Sequence, residues 1–111
     1  MNIKEFKEKR EAMHRRVMEF ASKNMKVFHH LDWNTYQAGV LGSKTKEMMG
    51  LVASMVLRCD DCISHHLGRC FEEGVSSEEL EEAMMVALMV GGSIVIPHLR
   101  KAVDLWFTIT T

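Results

Sequence analysis

"SKTKEMMGLVASMVLRCDDCISHHLGRCFEEG", residues 43–74, holds two helical patterns back to back and every cysteine of the chain. Met48, Leu51, Val52, Met55 and Val56 recur on one side of a helix running from Ser43 or Lys44 to about Arg58. Met49, Ala53 and Leu57 fill much of the other side. A helix apolar nearly all round is expected to be central and buried. After it, Asp60 is expected to cap a second helix that ends at Gly74, a C′ glycine. Two consecutive helices with no period-2 alternation between them set the fold class as all-α.

The same periodicity extends outward. Ile3, Phe6, Met13, Val17 and Phe20 form one stripe of a first helix over residues 3–23, interrupted only by Arg10. The Lys, Arg and Glu residues opposite it read as a solvated face. Asn24 to Val40 is less regular and reads as a short helix with loops. It contains His29, His30, Trp33 and Tyr36. Downstream, Ser76-Ser77-Glu78-Glu79 has the form of a capping box, with its acids where the helix dipole favours them. Gly91-Gly92-Ser93 breaks that helix before a last one to about Phe107, with Pro97 in its first turns. There is no repeat, low-complexity segment or linker. The expected architecture is one domain over residues 1–111, a bundle of about five to six helices.

Composition narrows the function. A chain of 111 residues can bury one core. Its formal net charge of −1 creates no basic field for nucleic acid or anionic lipid, so neither is expected as a partner. The longest apolar run, Ala83 to Pro97, is too short and too broken to span a bilayer. Three cysteines without a visible export signal point to a reducing cytoplasm, where Cys-x-x-Cys serves catalysis or metal binding more often than cross-linking.

The cysteine cluster admits more than one chemistry. With Asp60 as cap, Cys62 would occupy the second helical position, where the dipole and unpaired amides stabilise a thiolate. Cys59 could close a small disulfide ring with it. His66 lies one turn further on the same face and could move a proton. That equipment suits thiol–disulfide exchange or peroxide reduction. A zinc or redox-sensing module is the competing reading, with Cys59, Cys62, His65 and His66 as four ligands, although one helical turn cannot easily wrap a tetrahedron. Cys70 reads as a packed core thiol. His65 reads as a polar surface or interface residue, and His14, His29, His30 and His98 as structural.

The spacing Glu47, eleven residues, Cys59-x-x-Cys62, three residues, His66 resembles the alkylhydroperoxidase D-like proteins of the carboxymuconolactone decarboxylase family. The likeness continues through "EEGVSSEELEEAMMVALMVGGSIVIPHLRKAV" and covers roughly residues 40–105. It implies an all-helical homo-oligomer, a trimer or trimer of dimers, with cofactor-free peroxidase and disulfide reductase chemistry. By position it implies Cys62 as the peroxidatic thiol and Cys59 as the resolving thiol and proton donor, with His66 and Glu47 as a proton relay. It also implies a peroxide or disulfide substrate and a protein-thiol or lipoyl-type electron donor. Peroxidase members often have His before the second cysteine; Asp61 stands there in this chain, and a carboxylate opposes thiolate formation. Members that decarboxylate lactones, the remaining alternative, generally lack the cysteine pair. Taken by itself, Glu47 suits a helix N-terminus. Twelve residues of straight helix would leave it about 18 Å from Cys59. A contact with His66 therefore needs a steep crossing, a break in the helix or a second subunit.

Overall fold

The computed structural model describes residues 2–111; Met1, the first residue of the expected domain, lies outside them. Six α-helices follow in order: α1 (Ile3–Phe20), α2 (Lys23–Thr35), α3 (Ser43–Val56), α4 (Asp60–Glu72), α5 (Ser77–Gly91) and α6 (Ile96–Thr110). A short 3₁₀ turn, Ser93–Val95, joins the last two, and no strand occurs among the described residues.

The core forms where heptad-like stripes meet. Leu51, Ser54 and Met55 of α3 face Ile63, Leu67 and Cys70 of α4, and Leu80, Met84 and Ala87 of α5 close the other side. Val95, Ala102 and Trp106 complete this core from the C-terminal segment. The Trp106 indole N–H donates to Ser77 Oγ at 2.9 Å, fixing the end of α6 on the start of α5.

The turn between α3 and α4 determines everything downstream. Cys59 N–H bonds to Ser54 O and Arg58 N–H to Met55 O, a Schellman closure that satisfies the last carbonyls of α3. Arg58 occupies its left-handed position at φ 59°, where glycine is the usual residue. The end of α4 uses the same closure with Gly74 at φ 81°. This first reversal folds α4 back along α3. The expected capping box on α5 is present: Glu79 N–H donates to Ser76 Oγ and Ser76 N–H to Glu79 Oε1.

Four expectations change. The first helix ends at Phe20, because Ala21 turns extended at ψ 137°. Lys23–Thr35 is a full helix, not a short one among loops. The cap of α4 is Cys59, not Asp60, so Cys62 stands third in the helix. Finally, α3 is not buried all round: Met49 and Leu57 are exposed. Neither α1 nor α2 contains a fully buried residue. No helix is long and apolar enough to cross a membrane, among the residues described.

Candidate functional site

Glu47 lies on the buried stripe of α3, one turn before Leu51, and is 2% exposed. A carboxylate so placed needs partners. The reversal at Arg58 brings it opposite α4, where His66 Nδ1 lies 2.8 Å from Oε1 and Arg69 Nε donates to Oε2 at 3.3 Å. The expected contact between Glu47 and His66 is thus made within one chain, by a break in the helix. Gly50 makes it possible: a Cβ there would come within 2.6–2.9 Å of three His66 ring atoms. The imidazole lies directly on the α3 backbone. Arg69 is held in turn by Glu72 and Glu73. Tyr36, just after α2, sets its ring 5.2 Å from that of His66. Burial, then the charges of Asp32, Glu47 and Cys62, push its hydroxyl pKa up.

The two thiols sit at the start of α4. Cys59 is half-buried, and its Sγ accepts the Cys62 backbone N–H at 3.3 Å. Here a sulfur takes the place of the usual capping oxygen. Cys62 is exposed. Its thiol is pushed up to about 11 by a hydrogen bond with the Cys59 side chain, then by burial and by the charges of Cys59 and Asp61. Arg10 acts in the opposite direction. The hydrogen bond with Cys59, burial and the charges of Cys59 and Asp61 thus act against the thiolate expected at Cys62. Asp61 acts as its chemistry predicts.

The other candidates separate clearly. Cys70 is fully buried in the core, and burial pushes its thiol up to about 12. His65 is half-buried with its ring 5.0 Å from that of His66. Burial, then Arg10 and His66, hold its pKa down at about 4, so it is neutral at pH 7. His98, read from sequence as structural, bonds Asp60 across 38 residues.

Among the described residues, no metal-ligand cluster includes a cysteine. Glu47, His65 and His66 are the group whose ligand atoms all lie within 4.8 Å of one another. Both Glu47 oxygens already have partners, and the Arg69 guanidinium beside them opposes a cation. The arrangement is better suited to holding and passing a proton. The exposed Cys62, paired with the half-buried Cys59, stands one helical turn before a buried carboxylate–imidazole pair.

Sequence reading missed Arg69, Gly50 and Tyr36. Arg69 had a signal, three residues after His66 on the same face. Gly50 had one too, since glycine inside a helix costs about 1 kcal/mol against alanine and calls for a reason. Tyr36 had none, coming from a segment without clear periodicity.

The span that contains these residues resembles known proteins. Residues 22–105 match the sequence model of the carboxymuconolactone decarboxylase family. A Paracoccus denitrificans protein, "Uncharacterized protein 4 in cox locus", is 30% identical over 64 residues. That match spans 58% of this chain and 58% of the Paracoccus protein's length. Two crystal structures of a Thermotoga maritima protein are 53% identical to this chain and cover 96% of it. They superpose with TM-scores of 0.94 and 0.91, over 94% and 90% of their own chains. The second is described as a carboxymuconolactone decarboxylase family protein for which a part in an antioxidative response has been suggested.

Proposed function

This chain belongs to the carboxymuconolactone decarboxylase family, and from that premise we propose that it is a thiol-dependent peroxidase or disulfide reductase cycling Cys59 and Cys62. The observation that carries the proposal is a thiol pair whose exposed member, Cys62, lies one turn before the buried Glu47–His66 pair. The antioxidative role suggested for the Thermotoga relative agrees with it.

A Cys62 thiol held up at about 11 is almost wholly protonated at pH 7, so its proton must leave during the reaction. His66 is the base for this, oriented through Nδ1 by Glu47. The Cys62 sulfur then attacks the O–O bond of a hydroperoxide. The bond breaks, an alcohol leaves with the proton, and Cys62 becomes a sulfenic acid. Cys59 condenses with it, a disulfide forms and water departs. A protein dithiol or lipoyl-type dithiol returns two electrons by exchange. Glu47 keeps the imidazole in place, and Arg69 balances the carboxylate.

The proposal includes a homo-oligomer in a reducing cytoplasm, a trimer or trimer of dimers. Exposed Phe28, Leu31 and Trp33 on α2, and Met89 and Val90 on α5, support assembly. The test is hydroperoxide consumption with an excess small dithiol as reductant. Cys62→Ser is expected to abolish it with the fold intact. Full turnover in that variant overturns the thiol cycle and shifts attention to cysteine-independent chemistry at Glu47 and His66.

A further inference from the structure

Asp60 is the first residue of α4 and stands between the two thiols in the chain. Its carboxylate is tied to α6. His98 Nδ1 lies 2.7 Å from Oδ1, and Lys101 Nζ donates to Oδ2 at 3.1 Å. These contacts join residues 38 and 41 positions apart, so they depend on the tertiary fold and not on the turn itself. The His98 hydrogen bond is the main cause that holds the Asp60 carboxyl below its usual range. Asp61, next in the chain, is exposed, and its charge is among those that hold Cys62 up. Two carboxylates thus separate the thiols, and α6 compensates one of them.

An uncompensated carboxylate close to a thiol lowers its thiolate population by roughly threefold to tenfold. A second one would make proton loss harder for the base. We propose that His98, with Lys101 beside it, is a positioning residue for the thiol pair: His98 holds Asp60 against α6, where Lys101 offsets its charge, leaving Asp61 as the carboxylate that opposes Cys62. The last helix would thereby set the reactivity of a motif it does not belong to.

The inference rests on Cys59 and Cys62 being the working thiols, but its test requires no turnover, so the two can fail separately. The measurement is the rate of Cys62 alkylation by iodoacetamide in fully reduced protein, from about pH 7 to 10, with the modified residue assigned by peptide mass. His98→Ala is expected to slow alkylation at pH 7 by roughly threefold to tenfold and to move its pH profile upward. His98→Asn, which keeps an N–H donor near Nδ1, should recover most of the rate. In an Asp60→Asn background, His98→Ala should have no effect, because there is no carboxylate left to offset. Far-UV circular dichroism establishes that each variant is folded. A His98→Ala rate unchanged in the wild-type background, a faster one, or an equal slowing in both backgrounds would overturn the proposal; the last would mark His98 as a structural contact only.

Discussion

The α3–α4 pair and the α1–α2 arm handle their apolar residues in opposite ways. In the first, Leu51, Met55 and Leu67 are 0% exposed, and the one buried carboxylate has two partners. In the second, Phe20 is 83%, Phe28 66% and Trp33 62% exposed. Both regions are helical, but α1, which packs on α4 and α6, and α2 bury no residue fully. The pair that contains the candidate site is closed by local means: a Schellman reversal, a bare glycine and a stripe matched to its neighbour. The arm leaves large apolar side chains such as Phe20, Phe28 and Trp33 at the surface. On the proposed oligomer, it is the part of the molecule built for another copy.

The contrast breaks first at the thiols. Cys62→Ser should reduce hydroperoxide consumption to background, while arm substitutions should leave the chemistry of the pair in place. Stopped-flow peroxide assays on both variants decide this.

A smaller but still large effect is expected at Gly50. Alanine is ordinarily better than glycine inside a helix by about 1 kcal/mol. Here its Cβ would press on the His66 ring. Overpacking of this kind costs about 1–3 kcal/mol, so Gly50→Ala should destabilise the chain in urea unfolding and slow turnover through a displaced His66. A stabilised Gly50→Ala would mean that His66 does not rest where the α3–α4 pair holds it.

Next comes acid. His65 has a folded pKa of about 4 against 6.5 for the free group. The unfolded chain therefore binds its proton first as pH falls, and stability declines from about pH 6.5 down to about pH 4. Allowing for the exposure that remains, the loss is on the order of 2 kcal/mol. Below that window, the depressed carboxyl of Asp60 adds a further decline. Urea titrations at stepped pH check both, and His65→Gln should flatten the upper part.

The arm gives the smallest effect on the chain's own stability. Phe28→Ser and Leu31→Ser remove exposed side chains and should change unfolding free energy by no more than about 0.5 kcal/mol. If the arm seats a second copy, the same variants should weaken association in sedimentation. Loss of several kcal/mol together with unaltered association would erase the distinction between the two regions.

The sequence disclosed these regions unevenly. The stripes of α3 and α4, the capping box at Ser76 and the glycine break at Gly92 are local patterns, and local physics produces them. The pairing of Glu47 with His66 could be expected only from the family resemblance, since a straight helix would have separated them. What permits it is the left-handed Arg58, which has no glycine to announce it. Cys59 was misread because thiols are not ordinary caps and Asp60 beside it is. The sign of the Cys62 shift followed, since it depends on which sulfur faces the helix amides. His98 lies 38 residues from Asp60, beyond the reach of any spacing rule. The second helix was underread because its apolar residues follow no single stripe, in keeping with its exposure.

The central claim is that Cys59 and Cys62 are a working redox pair. Its most direct test is the intact mass of anaerobically purified protein before and after one equivalent of an organic hydroperoxide. The account predicts rapid loss of two hydrogens, a Cys59–Cys62 disulfide in the peptide map and no such loss in Cys62→Ser. An unchanged mass in the wild-type protein, with both thiols still open to alkylation, would contradict it.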